Sequence, residues 1–406
     1  MLRKILSFPL IILFKFFLSN FLSNKNNLII IPDVGSEYNQ DSIVNYSSDN
    51  SLKLLRYILD NNHFNNKKIF LVNFVASHTQ KIIQYLKIYK NVIVIDDPYQ
   101  ENKLTRYFFK FVKYLIYFSS SAFVINSNVL NRYRYKNRYQ KIFSLNYYTP
   151  FKYDKPLSKK ICEIEYVIST SKISSKYVSK TSLIKQTNFY ELGFPRHDSL
   201  YNPILNKKEI IKSITGSDKF IRIIVYTPTH RDYERDSKLE RNLFGKSSSV
   251  IKINELLKKT QTIIVVKSHS NQNHNIVKDF NFSNIFMHQP NINYSLYDLL
   301  GVSDALITDY SSVYFDYLQL NKPVFFYFYD YEKYINTRGF MYDNILEYCA
   351  GEISYNVDEL FASLENFLLL NHDVNLKKRK DVNRIFNTNQ KNNTKRIFQF
   401  IENKIK

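Results

Sequence analysis

Residues 303–343, SDALITDYSSVYFDYLQLNKPVFFYFYDYEKYINTRGFMYD, constrain the fold more than any other stretch. A hydrophobic strand, Ala305–Thr308, ends in Asp309, Tyr310, Ser311 and Ser312, and an amphipathic helix follows at once. A second strand starts at Pro323, and an acidic, aromatic loop then closes on Arg338 and Gly339. Two hydroxyls at the start of a helix, at the carboxyl end of a strand, make an anion site without a glycine loop. The helix N-terminus offers free N–H groups and a positive dipole end, and open α/β sheets bind ligands at the carboxyl ends of their strands. Simple N-capping accounts for the same two serines, so both readings stand at this point.

The rest of the chain repeats the pattern. Short β-rich runs alternate with helical segments from residue 27 onward, which is the α/β signature. The expected N-terminal strands are Leu28–Pro32, Ile69–Phe74, Val92–Asp96, Phe123–Asn126, Lys141–Asn146, Tyr166–Thr170 and Tyr190–Phe194. A second set comprises Ile221–Thr227, Thr262–Lys267, Ile285–His288, Ala305–Thr308 and Val324–Tyr329. Helices are expected near 103–119, 250–259, 294–300, 312–320 and 357–370, with a terminal pair within 380–406. The 406 residues divide into a segment 1–26, an N-terminal Rossmann-like domain 27–204 and a C-terminal one 205–406, facing each other across a cleft.

Composition narrows the chemistry. Only 7 glycines occur, and neither a Walker loop nor a dinucleotide fingerprint is present. The two cysteines, Cys162 and Cys349, form no metal spacing and no disulfide framework, so a reducing compartment is expected. Net charge is +21, from 57 Lys and Arg against 36 Asp and Glu. Such a surplus points to an anionic partner, whether lipid or a phosphate-rich substrate, or reflects plain compositional bias. No nucleic-acid-binding signature accompanies it.

Residues 1–22, MLRKILSFPLIILFKFFLSNFL, are apolar, carry Arg3, Lys4 and Lys15, and contain no acid. Pro9 and Lys15 interrupt any span of about 20 apolar residues, and no small-residue cleavage site follows. An interfacial helix on an anionic membrane suits them best, because Lys15 can reach back to the headgroups.

Five blocks stand at the carboxyl ends of expected strands: LGFPRHD (192–198), YTPTHRD (226–232), VVKSHS (265–270), ITDYSS (307–312) and RGF (338–340). Together they resemble the CDP-glycerol glycerophosphotransferase family, the teichoic acid primases and polymerases. That family shows G-x-P-R-N-D, P-T-x-R, K-x-H-P, T-D-Y-S-S and a downstream R-G in this order. The resemblance implies a GT-B fold whose C-terminal domain holds a CDP-activated donor. It implies donor binding by Arg231, Lys267, His269, Asp309, Ser311, Ser312, Arg338 and Gly339, with His269 also catalytic. It implies no metal and no cofactor beyond the donor, a lipid-linked or polymer acceptor, no nucleic acid, and a place on the cytoplasmic face of the membrane.

One block departs. The family's H-G-T-P-x-K block, whose His is regarded as the base for the acceptor hydroxyl, reads YYTPFK here. Thr149, Pro150 and Lys152 match, but Tyr147 stands for the His and Tyr148 for the Gly. A free phenol has a pKa of about 10 and is a poor base at neutral pH. Tyr147 with a lowered pKa, or an acid at the end of a strand such as Asp97 or Asp96, would have to replace it. Two rival readings remain at this point: a sialyltransferase-like enzyme using a CMP-sugar, and a degenerate, non-enzymatic member of the family.

Overall fold

The computed structural model describes residues 27–31, 50–64, 68–72, 89–95, 120, 122–125, 141–145, 149, 151–153, 164–229, 231, 247–267, 282–288, 294–389 and 391–405. The expected helix 103–119 and the segment 1–26 lie outside them. Among the described residues no helix is long and apolar enough to cross a membrane.

Two wholly parallel sheets dominate. The first has strands β1 (Asn27–Ile31), β2 (Lys68–Val72), β3 (Val92–Ile95), β4 (Ala122–Ile125), β5 (Lys141–Ser144), β6 (Tyr166–Ser169) and β7 (Phe189–Glu191), in the order β3-β2-β1-β4-β5-β6-β7. The second has β8 (Arg222–Thr227), β9 (Thr262–Val266), β10 (Ile285–Met287), β11 (Ala305–Thr308), β12 (Val324–Tyr327) and β13 (Glu352–Ser354), in the order β10-β9-β8-β11-β12-β13. Each reverses direction of growth once, between β1 and β4 and between β8 and β11. That is the doubly wound arrangement, with its ligand crevice at the switch point.

Sequence alternation explains the layering of the second sheet. Ile223, Val225, Ile263, Val265, Leu306, Val324 and Phe326 enter one buried cluster. Their neighbours Ile224, Tyr226, Ile264, Val266, Ile307, Phe325 and Tyr327 enter another. Successive side chains point to opposite faces, so a continuous apolar run such as TIIVV is what a strand covered on both faces requires.

Several features differ from the sequence reading, the unanticipated helices Asn50–Asp60 and Lys172–Ser182 among them. Strand β13 was not anticipated: it is three residues long and begins with a charged Glu352. It follows Gly351, where an added Cβ would lie 2.1 Å from the Val324 carbonyl oxygen, so only glycine permits the approach. Helix Tyr331–Thr337 occupies what reads as loop. The division at 204/205 needs one amendment. The last helix, Asn393–Ile405, buries Ile397, Phe398 and Ile401 against Leu54, Leu55 and Ile58 of helix Asn50–Asp60, in the core of the first sheet.

Candidate functional site

The crevice forms where β8 and β11 end side by side. Thr227 Oγ1 donates to Thr308 Oγ1 at 3.1 Å, and Thr308 Oγ1 lies 3.1 Å from the Thr227 carbonyl oxygen. One residue on, the Asp309 carboxylate accepts from the Thr229 N–H at 2.9 and 3.0 Å and from the Thr229 hydroxyl at 2.6 Å. It also accepts from the Tyr310 N–H at 2.6 Å. Asp309 is wholly buried and clamps the two strand ends together.

Arg231 completes this clamp. Its guanidinium lies 2.9 Å from Asp309 and donates to Asp330 at 2.8 and 3.0 Å and to the Thr229 carbonyl at 2.7 Å. The rings of Tyr310, Tyr334 and Tyr329 surround it at 4.8, 5.1 and 5.5 Å. Burial opposes its charge, but Asp309 and the bond to Asp330 outweigh that and hold it firmly protonated. Burial, reinforced by Asp330, also pushes the Tyr310 phenol far above its usual range. Arg231 and Asp309 were expected to hold a donor. In the structure both are buried and engaged with each other, with Thr229 and, through Arg231, with Asp330. The motif places them here because a positive charge buried at a strand end needs two carboxylates around it.

Ser311, Ser312, Lys267, Arg338 and Gly339 are partly exposed beside this clamp. The helix after Ser312 is short, Val313–Tyr317, and runs into a 3₁₀ turn at Leu318–Leu320. The Val313 N–H lies 3.4 Å from Ser311 Oγ, and Ser312 makes no side-chain capping bond. Capping therefore does not account for the Ser312 hydroxyl. Lys267 follows β9, with its N–H on the Tyr226 carbonyl at 2.8 Å. Arg338 ends helix Tyr331–Thr337, and Gly339 turns the chain at φ +73°. Tyr334 feels the charges of Asp309, Arg231 and Arg338 alike, which puts the clamp and the Arg338 turn in one neighbourhood. His269, His230, Asp96, Asp97, Tyr147 and Tyr148 lie outside the described residues.

The acceptor-side block reaches the same turn. Thr149 shares its hydroxyl with Thr170 and Ser174, 2.9 Å each. Two residues later the chain pairs with the Arg338 turn. Lys152 forms an antiparallel bridge with Phe340, the Tyr153 N–H donates to the Gly339 carbonyl at 3.0 Å, and the Met341 N–H to the Phe151 carbonyl at 3.1 Å.

A second buried network joins the two sheets, and the sequence reading left its histidine unassigned. Asp316 accepts from Arg196 Nη2 at 3.0 Å, from His197 Nε2 at 2.7 Å and from the Tyr297 hydroxyl. Gln319 Nε2 sits 2.7 Å from His197 Nδ1, which leaves Nε2–H to face Asp316. Burial alone would raise the Asp316 carboxyl, but Arg196 and His197 overcome it and hold it well below the usual range. Next door, the Asp198 carboxylate caps the last helix, accepting from the N–H groups of Asn393 and Thr394 at 2.9 Å each. The PRHD block is thus a buckle between halves. Its partner, Asp316, was missed; the available signal was a lone acid in the apolar run VYFDYLQL.

Residues 44–403 match the sequence model of the family described as CDP-Glycerol:Poly(glycerophosphate) glycerophosphotransferase. The teichoic acid glycerol-phosphate primase of Bacillus subtilis (strain 168) is 32% identical over 211 residues, 52% of this chain and 51% of that protein. The teichoic acid ribitol-phosphate primase of Bacillus spizizenii (strain ATCC 23059 / NRRL B-14472 / W23) is 24% identical over 245 residues, 58% of this chain and 59% of that protein. The matched part thus spans about half the length of these curated relatives. Among solved structures, the wall teichoic acid polymerase TagF matches with a TM-score of 0.64 and 18% identity, over 94% of this chain and 89% of the other. That likeness shows the fold: two parallel α/β halves in the GT-B arrangement.

Proposed function

We propose a function on the premise that the chain belongs to the CDP-glycerol:poly(glycerophosphate) glycerophosphotransferase family. The chain transfers a polyol phosphate, glycerol phosphate or a close relative, from a CDP-activated donor to a hydroxyl of a lipid-linked or growing polymer. The acceptor oxygen attacks the β-phosphorus, the bond from that phosphorus to the bridging oxygen breaks, and CMP leaves with the electron pair. The hydroxyl proton passes to a base on the acceptor side.

The observation that carries this reading is the convergence of four blocks on one crevice: PTHR and TDYSS at the switch point, RGF beside them, and TPFK paired onto RGF. In the proposal, the Ser312 hydroxyl and the cations Lys267 and Arg338 hold the pyrophosphate, with His269 beside them. Phosphoryl transfer of this kind depends mostly on positioning and on cations aimed at developing charge. Arg231 and Asp309 serve by fixing the strand ends from which those groups project. Tyr147 or Asp97 stands as the acceptor-side base, and residues 1–22 rest on the cytoplasmic face of the membrane, where a lipid-linked acceptor would be met.

Purified protein incubated with CDP-glycerol, CDP-ribitol or CMP-sialic acid and a hydroxyl acceptor tests the reading. CMP release from a CDP-polyol, lowered at least roughly tenfold by His269→Ala, is expected. Release from the CMP-sugar alone would favour a sialyltransferase-like enzyme. No turnover of any donor, with none gained by Tyr147→His combined with Tyr148→Gly, would favour a non-enzymatic member.

A further inference from the structure

We infer that Phe151 is a positioning residue that ties the acceptor-side loop to the donor-binding turn, so that occupation of the donor site orders residues 151–153 together with 338–341. The inference rests on the function proposed above and adds the coupling between its two half-sites.

Phe151 belongs by sequence to the first half, yet its ring is fully buried in the core of the second. It lies 5.8 Å from Tyr314, 5.2 Å from Phe315 and 6.0 Å from Phe340, centroid to centroid. Tyr314 and Phe315 stand in the helix that begins after Ser311–Ser312, and Phe340 follows Arg338–Gly339. One ring therefore touches the supports of both donor-side blocks. The flanking backbone repeats the connection through Tyr153 to Gly339 and Met341 to Phe151. The other end of the loop is anchored in the first half, where Thr149 meets Thr170 and Ser174.

Thr149 is thus held in the first half, while Phe151, Lys152 and Tyr153 are held in the second. A shift of the Arg338 turn on binding a phosphate moves Gly339 and Phe340, and with them the paired residues 151–153. Phe151 has no polar side-chain atom to offer either substrate. Its effect on catalysis has to run through the geometry it imposes, and displacements near 1 Å can cost about a hundredfold in rate.

The test is amide exchange and kinetics on the full chain with CDP and CDP-glycerol as probes. In the wild type, CDP should slow exchange in peptides covering both 338–341 and 149–153. In Phe151→Ala, CDP should still protect 338–341 but no longer 149–153, and kcat should fall roughly tenfold or more with a smaller change in KM. Phe151→Leu, which keeps most of the apolar volume, should recover both readouts; it also serves where the alanine variant does not fold. Protection of 338–341 without 149–153 in the wild type, or an unchanged kcat in a folded Phe151→Ala, overturns the coupling. Failure of the wild type to bind CDP at all overturns the functional reading instead, and the coupling with it.

Discussion

Two buried arginine–aspartate networks serve different ends in this molecule. The Arg231–Asp309–Asp330 clamp lies within the second half and seals the ends of β8 and β11. The Arg196–His197–Asp316 buckle joins the halves, from the PRHD block to the helix after the paired serines. The clamp closes on itself: Arg231 meets two carboxylates, a carbonyl and three rings. The buckle is shared: Arg196 keeps part of its surface open, and its carboxylate belongs to the other half. A charged residue in a motif is therefore no guide by itself to ligand contact; the number of internal partners decides.

This contrast yields four tests, ordered by expected effect. Arg231→Met removes the cation that lies between buried Asp309 and partly buried Asp330. It should destabilise the second half by about 3–5 kcal/mol, read by urea denaturation; a loss under about 1 kcal/mol would show that the clamp carries little. Asp316→Ala should cost somewhat less, about 2–4 kcal/mol, because Arg196 can turn toward solvent. Its specific mark should be a split of one unfolding transition into two, and a single unbroken transition would deny the buckle its joining role.

Acid separates the networks further. The folded Asp316 carboxyl lies below its usual value, so it contributes stability in full above about pH 4 and loses it as pH falls toward the folded value. Stability measured from pH 6 to pH 3 should decline at the low end, and Asp316→Asn should flatten that decline. An identical slope in the variant would assign the acid sensitivity elsewhere. The smallest stability effect belongs to Ser312→Ala. With no capping bond to lose, it should change stability by less than about 0.5 kcal/mol while weakening donor binding; a larger loss of stability would restore the hydroxyl to a capping role.

The sheets were legible because their strands are buried on both faces, so TIIVV and ALIT read as apolar runs bounded by polar residues. Helix Val357–Leu370 was expected at 357–370 and forms there, with Asn356 capping it. Helix Asn50–Asp60 was not read, and part of what covers its apolar face, Ile397, Phe398 and Ile401 of the last helix, lies far along the chain. Within the site, the order of the blocks located the crevice, but the fate of Arg231 did not follow from it. Its neighbour Asp232 is adjacent in sequence, whereas Asp330, the carboxylate it holds, is 99 residues away. Local pattern records which residue types a turn contains. It does not record which distant acid arrives to neutralise them.

The last helix has a bearing on how such a chain comes into being. Synthesis proceeds from the N-terminus at about 5–20 residues per second, and domains generally fold as they emerge. Here the first half cannot finish early. Leu54, Leu55 and Ile58 lack part of their cover until Ile397, Phe398 and Ile401 leave the ribosome, and the helix that carries these is seated by Asp198 of the PRHD block. The first half to be made is thus the last to be sealed, and its closure waits on the second.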